Sequence, residues 1–291
     1  MLSLFFFGSD QYSATVLSSL LAANQFELKV VTDHTPKPNP IELLAKKHNL
    51  TVFYYPSIPN ELITQSTLGL CASFDHLLPS AIITIFDGNL YNLHPSLLPQ
   101  YRNVSPVPYA LALGDSVTGI TLFRISTGID NGEIVAQVAE PIKDNDISPT
   151  LLHRLFTIGA NLFLNHAQNP TPFKSSILNL QPNQLIFTRS LTSQHGHVEW
   201  SVLQKLLAHQ FISPDETDNP LLRLRLTHNP QGNILHDLVR GLSGWERVWT
   251  IAPTKKGELR LTIESVLPKL TVKLAGKPKA ISWSDFTKYY L

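Results

Sequence analysis

"LSLFFFGSDQYSATVLSSLLAAN", Leu2–Asn24, holds two hydrophobic rhythms in one short stretch. Leu2–Phe7 is an almost unbroken apolar run, the composition of a strand covered on both faces. From Gln11 onward the apolar residues return at helical spacing. Gly8 between them reads as the glycine of a tight strand-to-helix turn. A dinucleotide-binding turn needs G-x-G-x-x-G at this place, and only Gly8 is present, so the opening does not point to NAD-type binding.

The same alternation continues outward. "ELKVVT", "TVFYY", "LGLCASF" and "LYNLH" read as strands, and "NPIELLAKKHNL" as a helix with Asn39 as N-cap and Pro40 at its first position. "PSAIITIF" fits a short helix or a strand equally. "TGITLFRIS" and "EIVAQVAEPI" are β-rich and expected to pair. "SPTLLHRLFTIGANLFLNHA" is expected to be a long helix capped by Ser148 with Pro149 at N1. Strands alternating with helices imply an α/β layer fold with a largely parallel sheet. Residues 169 to about 189 are rich in Pro, Ser, Asn and Thr and read as a linker. Beyond them, "RVWTIAP", "GELRLTIESV" and "KLTVKLAG" suggest a small β-barrel with one or two added helices.

A chain of 291 residues is too long for one ordinary core and suits two domains. No apolar run approaches the ~18 residues of a membrane span, and "MLSLFFFGSD" lacks a signal peptide's basic start and cleavage site, so a first buried strand and a cytoplasmic location are expected. Cys71 is the sole cysteine. Intramolecular disulfides and Cys-based zinc patterns are thereby excluded, and "LGLCASF" suits a buried thiol more than a nucleophile. Charge is unevenly spread. Residues 1–204 carry 10 Lys and Arg against 14 Asp and Glu, a net of −4, whereas residues 205–291 carry 13 against 8, a net of +5. A polyanion would meet the C-terminal part, although a solvated face on a small domain explains the split equally well.

The polar residues of Tyr91–Gln137 suggest chemistry. If "LYNLH" is extended, Asn92 and His94 point to the same side at its carboxyl end, where open α/β sheets bind ligands. Pro95 holds His94 in extended geometry. Asp130 lies between Gly128 and Gly132 in a loop able to bring a carboxylate to the imidazole. Such a trio stabilises an oxyanion and moves a proton, the needs of acyl transfer to an amine. Taken singly the three read blandly: His94 as a hydrogen-bonded structural residue, Asn92 as a cap, Asp130 as part of a hairpin turn.

"NLHPSLLPQYR", "GDSVTGITLFR" and "GIDNGEIVAQ", in that order, resemble the formyltransferases that use 10-formyltetrahydrofolate. The resemblance implies catalytic roles for Asn92, His94 and Asp130. It implies that Ser96, Leu97, Leu98 and Pro99 belong to the folate site, and that "ASFDHLLP", with Phe74, Leu77 and Leu78, lines the pterin pocket together with Ile129. Asp75-His76 stands where the family often has Tyr-Gly. In the second half, "GHVEW", "VRGLSGWERVWT" and "GKPKAISWSDFTKYYL" resemble the methionyl-tRNA formyltransferases in particular. The implied architecture is a Rossmann-like, largely parallel catalytic domain over 1–178, a linker over 179–204, and an OB-like barrel over 205–291 that binds tRNA phosphates. Trp283 is expected to pack that barrel, and Arg102 to meet substrate or lie on the surface. The implied reaction formylates initiator methionyl-tRNA, with 10-formyltetrahydrofolate as donor, no metal, no membrane and no obligatory protein partner. Two departures stand out. "TDHTPKPNP" carries one Lys where the family has a basic loop, and about thirty residues separate Trp200 from "NILHDL", roughly three times the usual interval. A sugar N-formyltransferase acting on a nucleotide-linked amino sugar, and a non-catalytic RNA-binding protein on the same scaffold, are the competing expectations.

Overall fold

The computed structural model describes residues 1–64, 67–170 and 185–291. The expected boundary at 178/179, and residues 179–184 of the expected linker, lie outside the described residues. In chain order the first elements are β1 (Leu2–Phe7), α1 (Gln11–Ala23), β2 (Phe26–Thr32), α2 (Pro40–Lys47), β3 (Thr51–Tyr54), β4 (Leu68–Ala72), α3 (Ser80–Ile85), β5 (Leu90–His94), α4 (Pro106–Ala112), β6 (Val117–Arg124), β7 (Ile134–Pro141) and α5 (Ser148–Gln168). There follow α6 (Ser193–Gly196), α7 (Trp200–Leu207), α8 (Pro220–His228), α9 (Ile234–Leu242), β8 (Trp249–Thr254), β9 (Gly257–Ser265), β10 (Thr271–Leu274), β11 (Ala280–Ser282) and α10 (Trp283–Tyr290). The ambiguous "PSAIITIF" is the helix α3.

Two compact units are present, and they do not follow chain order. The first takes Met1–Asn103, Val117–Pro141 and Leu152–Phe187; the second takes Val104–Ser116, Ile142–Leu151 and Thr188–Leu291. The expected succession of 1–178, 179–204 and 205–291 differs in giving 104–116 and 142–151 to the first domain. The physical reason is packing: α4 lies on α9 so closely that a Cβ on Gly241 would stand 2.6 Å from the Pro108 carbonyl oxygen.

The first unit holds a seven-stranded sheet in the order β3-β2-β1-β4-β5-β6-β7. β3, β2, β1, β4 and β5 are parallel, and β6 and β7 continue the sheet antiparallel. From β1 the chain builds outward to β3, then returns to build β4 and β5 on the other side. The strand order therefore switches between β1 and β4, which opens a crevice at their carboxyl ends. Phe5, Phe6 and Phe7 are wholly buried. Phe5 and Phe7 share an apolar cluster with Val31, Cys71, Phe86 and Leu90. On the opposite face Tyr12 of α1 stacks on Phe156 of α5, and Phe26 meets Phe163. The first strand is thus covered on both faces, as its unbroken apolar run requires.

Local signals act where expected at two helices. Asn39 caps α2 by accepting from the Glu42 amide, with Pro40 first in the helix. Gly8 is demanded by crowding, since a Cβ there would stand 2.5 Å from the Ser13 Cβ. Asp10 caps α1 by accepting from the Tyr12 and Ser13 amides, each at 2.9 Å. The expected Ser148 cap of α5 is not formed. Ser148 is already helical and its hydroxyl donates to the Gly241 carbonyl at 2.6 Å, because tertiary packing supplies a better partner.

In the second unit, the strands expected to form a small barrel make a four-stranded antiparallel sheet in the order β11-β10-β9-β8. Trp283 packs as expected, its ring 5.9 Å from Trp200 and 5.4 Å from Phe286. The unit carries more helix than expected, because the long interval after Trp200 forms α7 and α8. Arg225 of α8 is 1% exposed. Its Nη2 donates to Asp237 Oδ2 at 2.9 Å and to the Gln231 carbonyl at 2.6 Å. Arg240 donates to the other oxygen of Asp237 at 2.8 Å.

Candidate active site

β5 ends on the candidate residues. Its register sets Asn92 opposite Phe123 and His94 opposite Thr121 on β6. Strand alternation puts Leu90, Asn92 and His94 on one face, and Leu90 belongs to the cluster of Phe5, Phe7, Cys71 and Phe86. Asn92 and His94 therefore stand on the apolar cluster's side of the sheet. Asn92 is half-buried, and its amide has no side-chain hydrogen-bond partner among the described residues.

His94 is 5% exposed. Its Nε2 lies 2.8 Å from the Tyr101 carbonyl oxygen. A carbonyl can only accept, so Nε2 carries a hydrogen. Nδ1 faces Asp130 Oδ2 at 3.4 Å, beyond an ordinary N–H···O bond, so Nδ1 is left open to a third group. Oδ2 of Asp130 also accepts the Asn103 amide at 2.7 Å. The backbone is bent to achieve this. Tyr101, Asn103 and Asp130 have φ of +58°, +80° and +46°, a region that costs an L-residue roughly 1–2 kcal/mol and that Asn and Asp tolerate best. Gly132 closes the Asp130 loop, and a Cβ there would stand 1.6 Å from the Arg124 carbonyl oxygen.

Ser96, Leu97 and Leu98 are buried, at 0%, 4% and 2% exposed. Ser96 Oγ donates to the Gln100 carbonyl at 2.7 Å. Thr121 Oγ1 donates to the Ser96 carbonyl at 2.6 Å and accepts the Leu98 amide at 3.1 Å. Gln137 Nε2 donates to Thr121 Oγ1 and to the Leu98 carbonyl. Leu97 fills the space above Gly119, where a Cβ would meet it at 2.5 Å. These three residues act as a frame beneath His94, and the half-buried Pro99 follows them. Thr121 and Gln137, which complete the frame, were not singled out by sequence. Their alternation on β6 and β7 was the only signal available.

Around the β4 exit, Phe74 meets Phe7 at 5.7 Å and Tyr55 at 5.5 Å. Leu78 packs on the same cluster, whereas Leu77 and Ile129 are 76% and 46% exposed. His76 stacks on Tyr55 at 4.5 Å and pairs with Asp33 of the β2 loop. Burial, and then the carboxylates of Asp10 and Asp33, hold the Asp75 carboxyl above its usual range, against the opposing pull of His76. Cys71 is buried, and burial raises its thiol, the environment of an inert structural cysteine. Among the described residues no group of three His, Cys, Asp or Glu is arranged for a metal, and no helix is long and apolar enough to cross a membrane.

A family model described as formyl transferase matches residues 57–166, which carry this site. A methionyl-tRNA formyltransferase of Streptococcus pyogenes serotype M6 is 30% identical over 318 residues, covering 98% of this chain and 95% of its own. That of Streptococcus mutans serotype c is 28% identical with the same coverage. Among solved structures, the N-formyltransferase of Helicobacter canadensis, in complex with folinic acid and dTDP-3-aminofucose, gives a TM-score of 0.58 at 18% identity, over 97% of this chain and 99% of that one. That likeness shows a shared fold. The relatedness along nearly the whole length identifies the chain as a member of the methionyl-tRNA formyltransferase family, a formyl-transferring enzyme.

Proposed function

We propose that this enzyme moves the formyl group of 10-formyltetrahydrofolate onto the α-amino group of initiator methionyl-tRNA, in the cytoplasm. One observation carries the acceptor: similarity to methionyl-tRNA formyltransferases runs into the C-terminal residues, where the excess of Lys and Arg suits tRNA phosphates. The donor supplies an activated formyl carbon. The residues present fit it, because a half-buried, unpartnered Asn92 amide and the buried His94–Asp130 pair share the sheet face of the apolar cluster of Phe7, Phe74 and Leu78.

The chemistry assigned to the side chains follows from their hydrogens. The Asn92 amide donates to the charge developing on the formyl oxygen. His94 acts in its protonated, imidazolium form: Nε2–H is held by the Tyr101 carbonyl, and Nδ1–H donates to the same oxygen. Removal of one such donor typically costs about 10²–10³ in rate. Asp130 takes the proton that the attacking amine loses as the new C–N bond forms, and gives that proton to the donor nitrogen as its C–N bond breaks.

His94→Ala and Asp130→Ala are expected to abolish formyl transfer while far-ultraviolet circular dichroism stays that of wild type; near-normal turnover by either variant refutes the assignment. The acceptor is tested by offering methionyl-tRNA and dTDP- or UDP-amino sugars side by side with 10-formyltetrahydrofolate. Formylated methionyl-tRNA is the expected product. Formylation of the sugar alone would transfer the enzyme to the nucleotide-sugar reaction. Binding of tRNA with no folate binding and no turnover would leave an RNA-binding protein.

A further inference from the structure

The His94–Asp130 pair hangs from one short stretch of backbone. Tyr101 supplies the carbonyl that holds Nε2 of His94, and Asn103 the amide that holds Asp130. Both lie at positive φ, which persists in residues other than glycine only where surrounding structure over-determines it. The restraint comes from far along the sequence. The Tyr101 amide donates to the Ile186 carbonyl at 2.9 Å. The Ile186 amide donates to Oε1 of Gln100 at 2.8 Å. Arg102 bridges to Phe187 through the backbone, and its guanidinium lies 5.9 Å over the Phe187 ring. Gln100 is 8% exposed, and its own carbonyl accepts from Ser96 of the frame. Phe187 is the last residue that the first unit takes from the chain.

We propose that Gln100 is a positioning residue. Through Ile186 it clasps the 186–187 segment to the Tyr101–Asn103 backbone, and so sets the His94 ring and the Asp130 carboxylate for transfer. Residues 186–187 are thus part of the catalytic apparatus, although neither touches the reacting groups. The inference rests on the proposed roles of His94 and Asp130, but the clasp has a readout of its own.

The experiment uses the full-length protein. Gln100→Met keeps the volume and removes the acceptor, whereas Gln100→Glu keeps an oxygen facing the Ile186 amide. Imidazole ¹⁵N and ¹H resonances of His94, identified by their loss in His94→Gln, report ring environment without turnover. In Gln100→Met those resonances are expected to shift. Its kcat should fall about ten- to hundredfold, with both KM values held within about twofold, the mark of an interaction used in the transition state. Gln100→Glu should restore both. Phe187→Gly, at a residue 60% exposed, should move the same resonances less and serves if Gln100→Met does not fold. Unchanged His94 resonances overturn the clasp whatever turnover does. A fall in kcat that comes with raised KM and is not rescued by Gln100→Glu overturns it too. If wild-type protein formylates neither acceptor while the His94 resonances shift, the proposed reaction fails and the clasp stands.

Discussion

Thr121 shows how much one hydroxyl can organise. It lies opposite His94, is wholly buried, gives one hydrogen bond and receives two, and every partner lies in the 96–98 turn or on β7. Thr121→Val keeps the shape and strands the Ser96 carbonyl and the Leu98 amide. A loss on the order of 1–3 kcal/mol is expected for groups left buried and unpaired, measured by urea unfolding, with Thr121→Ser recovering most of it. At this scale the sequence displayed the chemistry better than the support. Asn92, His94 and Asp130, the residues proposed for the chemistry, are polar groups that stand out in a strand-and-loop pattern. Thr121 and Tyr101 act through a hydroxyl at an ordinary strand position and a backbone carbonyl, and neither leaves a mark in residue type.

Elements were legible where local and tertiary demands coincide. Asn39-Pro40 starts α2 as its chemistry requires. Ser148 was expected to cap α5 and instead reaches Gly241, ninety-three positions away. Asp10, at the head of α1, also accepts Ser73 Oγ at 2.7 Å. Asp10→Ala should therefore cost about 1 kcal/mol of cap, plus the Ser73 bond, in chemical unfolding. The last turn of α5 carries a titratable residue, His166, whose shift has a definite sign. Burial first, and then the Arg124 charge, lower His166 below its ordinary value of 6.5; its ring lies 5.4 Å from Tyr91. The fold prefers neutral His166, so the unfolded chain binds the proton first as pH falls below about 6.5. Stability attributable to this residue is whole above that pH and is lost on the way down to the lowered folded value. His166→Gln is expected to flatten the stability decline between about pH 7 and 5, read from thermal unfolding across that range.

For the molecule as a whole, the decisive energetics of the second unit sit in buried charge. Arg225 and Arg240 share the single carboxylate of Asp237, and Nε and Nη1 of Arg225 are buried with no hydrogen-bond partner. Removal of Arg225 leaves a balanced Arg240–Asp237 pair, whereas removal of the carboxylate leaves two buried cations. Asp237→Asn should therefore cost about 3–5 kcal/mol, and Arg225→Met distinctly less, by denaturant unfolding of the full chain. Equal losses would mean that Arg225 acts by packing alone. The network also accounts for part of the long interval after Trp200: α8 brings Arg225 against Gly114, where a Cβ would stand 2.6 Å from the guanidinium.

The alternation of unbroken apolar runs with helical spacing was enough to determine a layered α/β unit, because two-faced burial and a 3.6-residue period are written residue by residue. The order of polar groups over 92–130, read with the family resemblance, pointed to the trio proposed as catalytic. What only the tertiary structure decided was which distant segments complete the site and the units. Pairing of Ile186 with Tyr101, of α4 with α9, and of Thr121 with the 96–98 turn depends on backbone atoms and close approaches. Every residue carries the same amide and carbonyl, so a linear sequence cannot say which of them will meet.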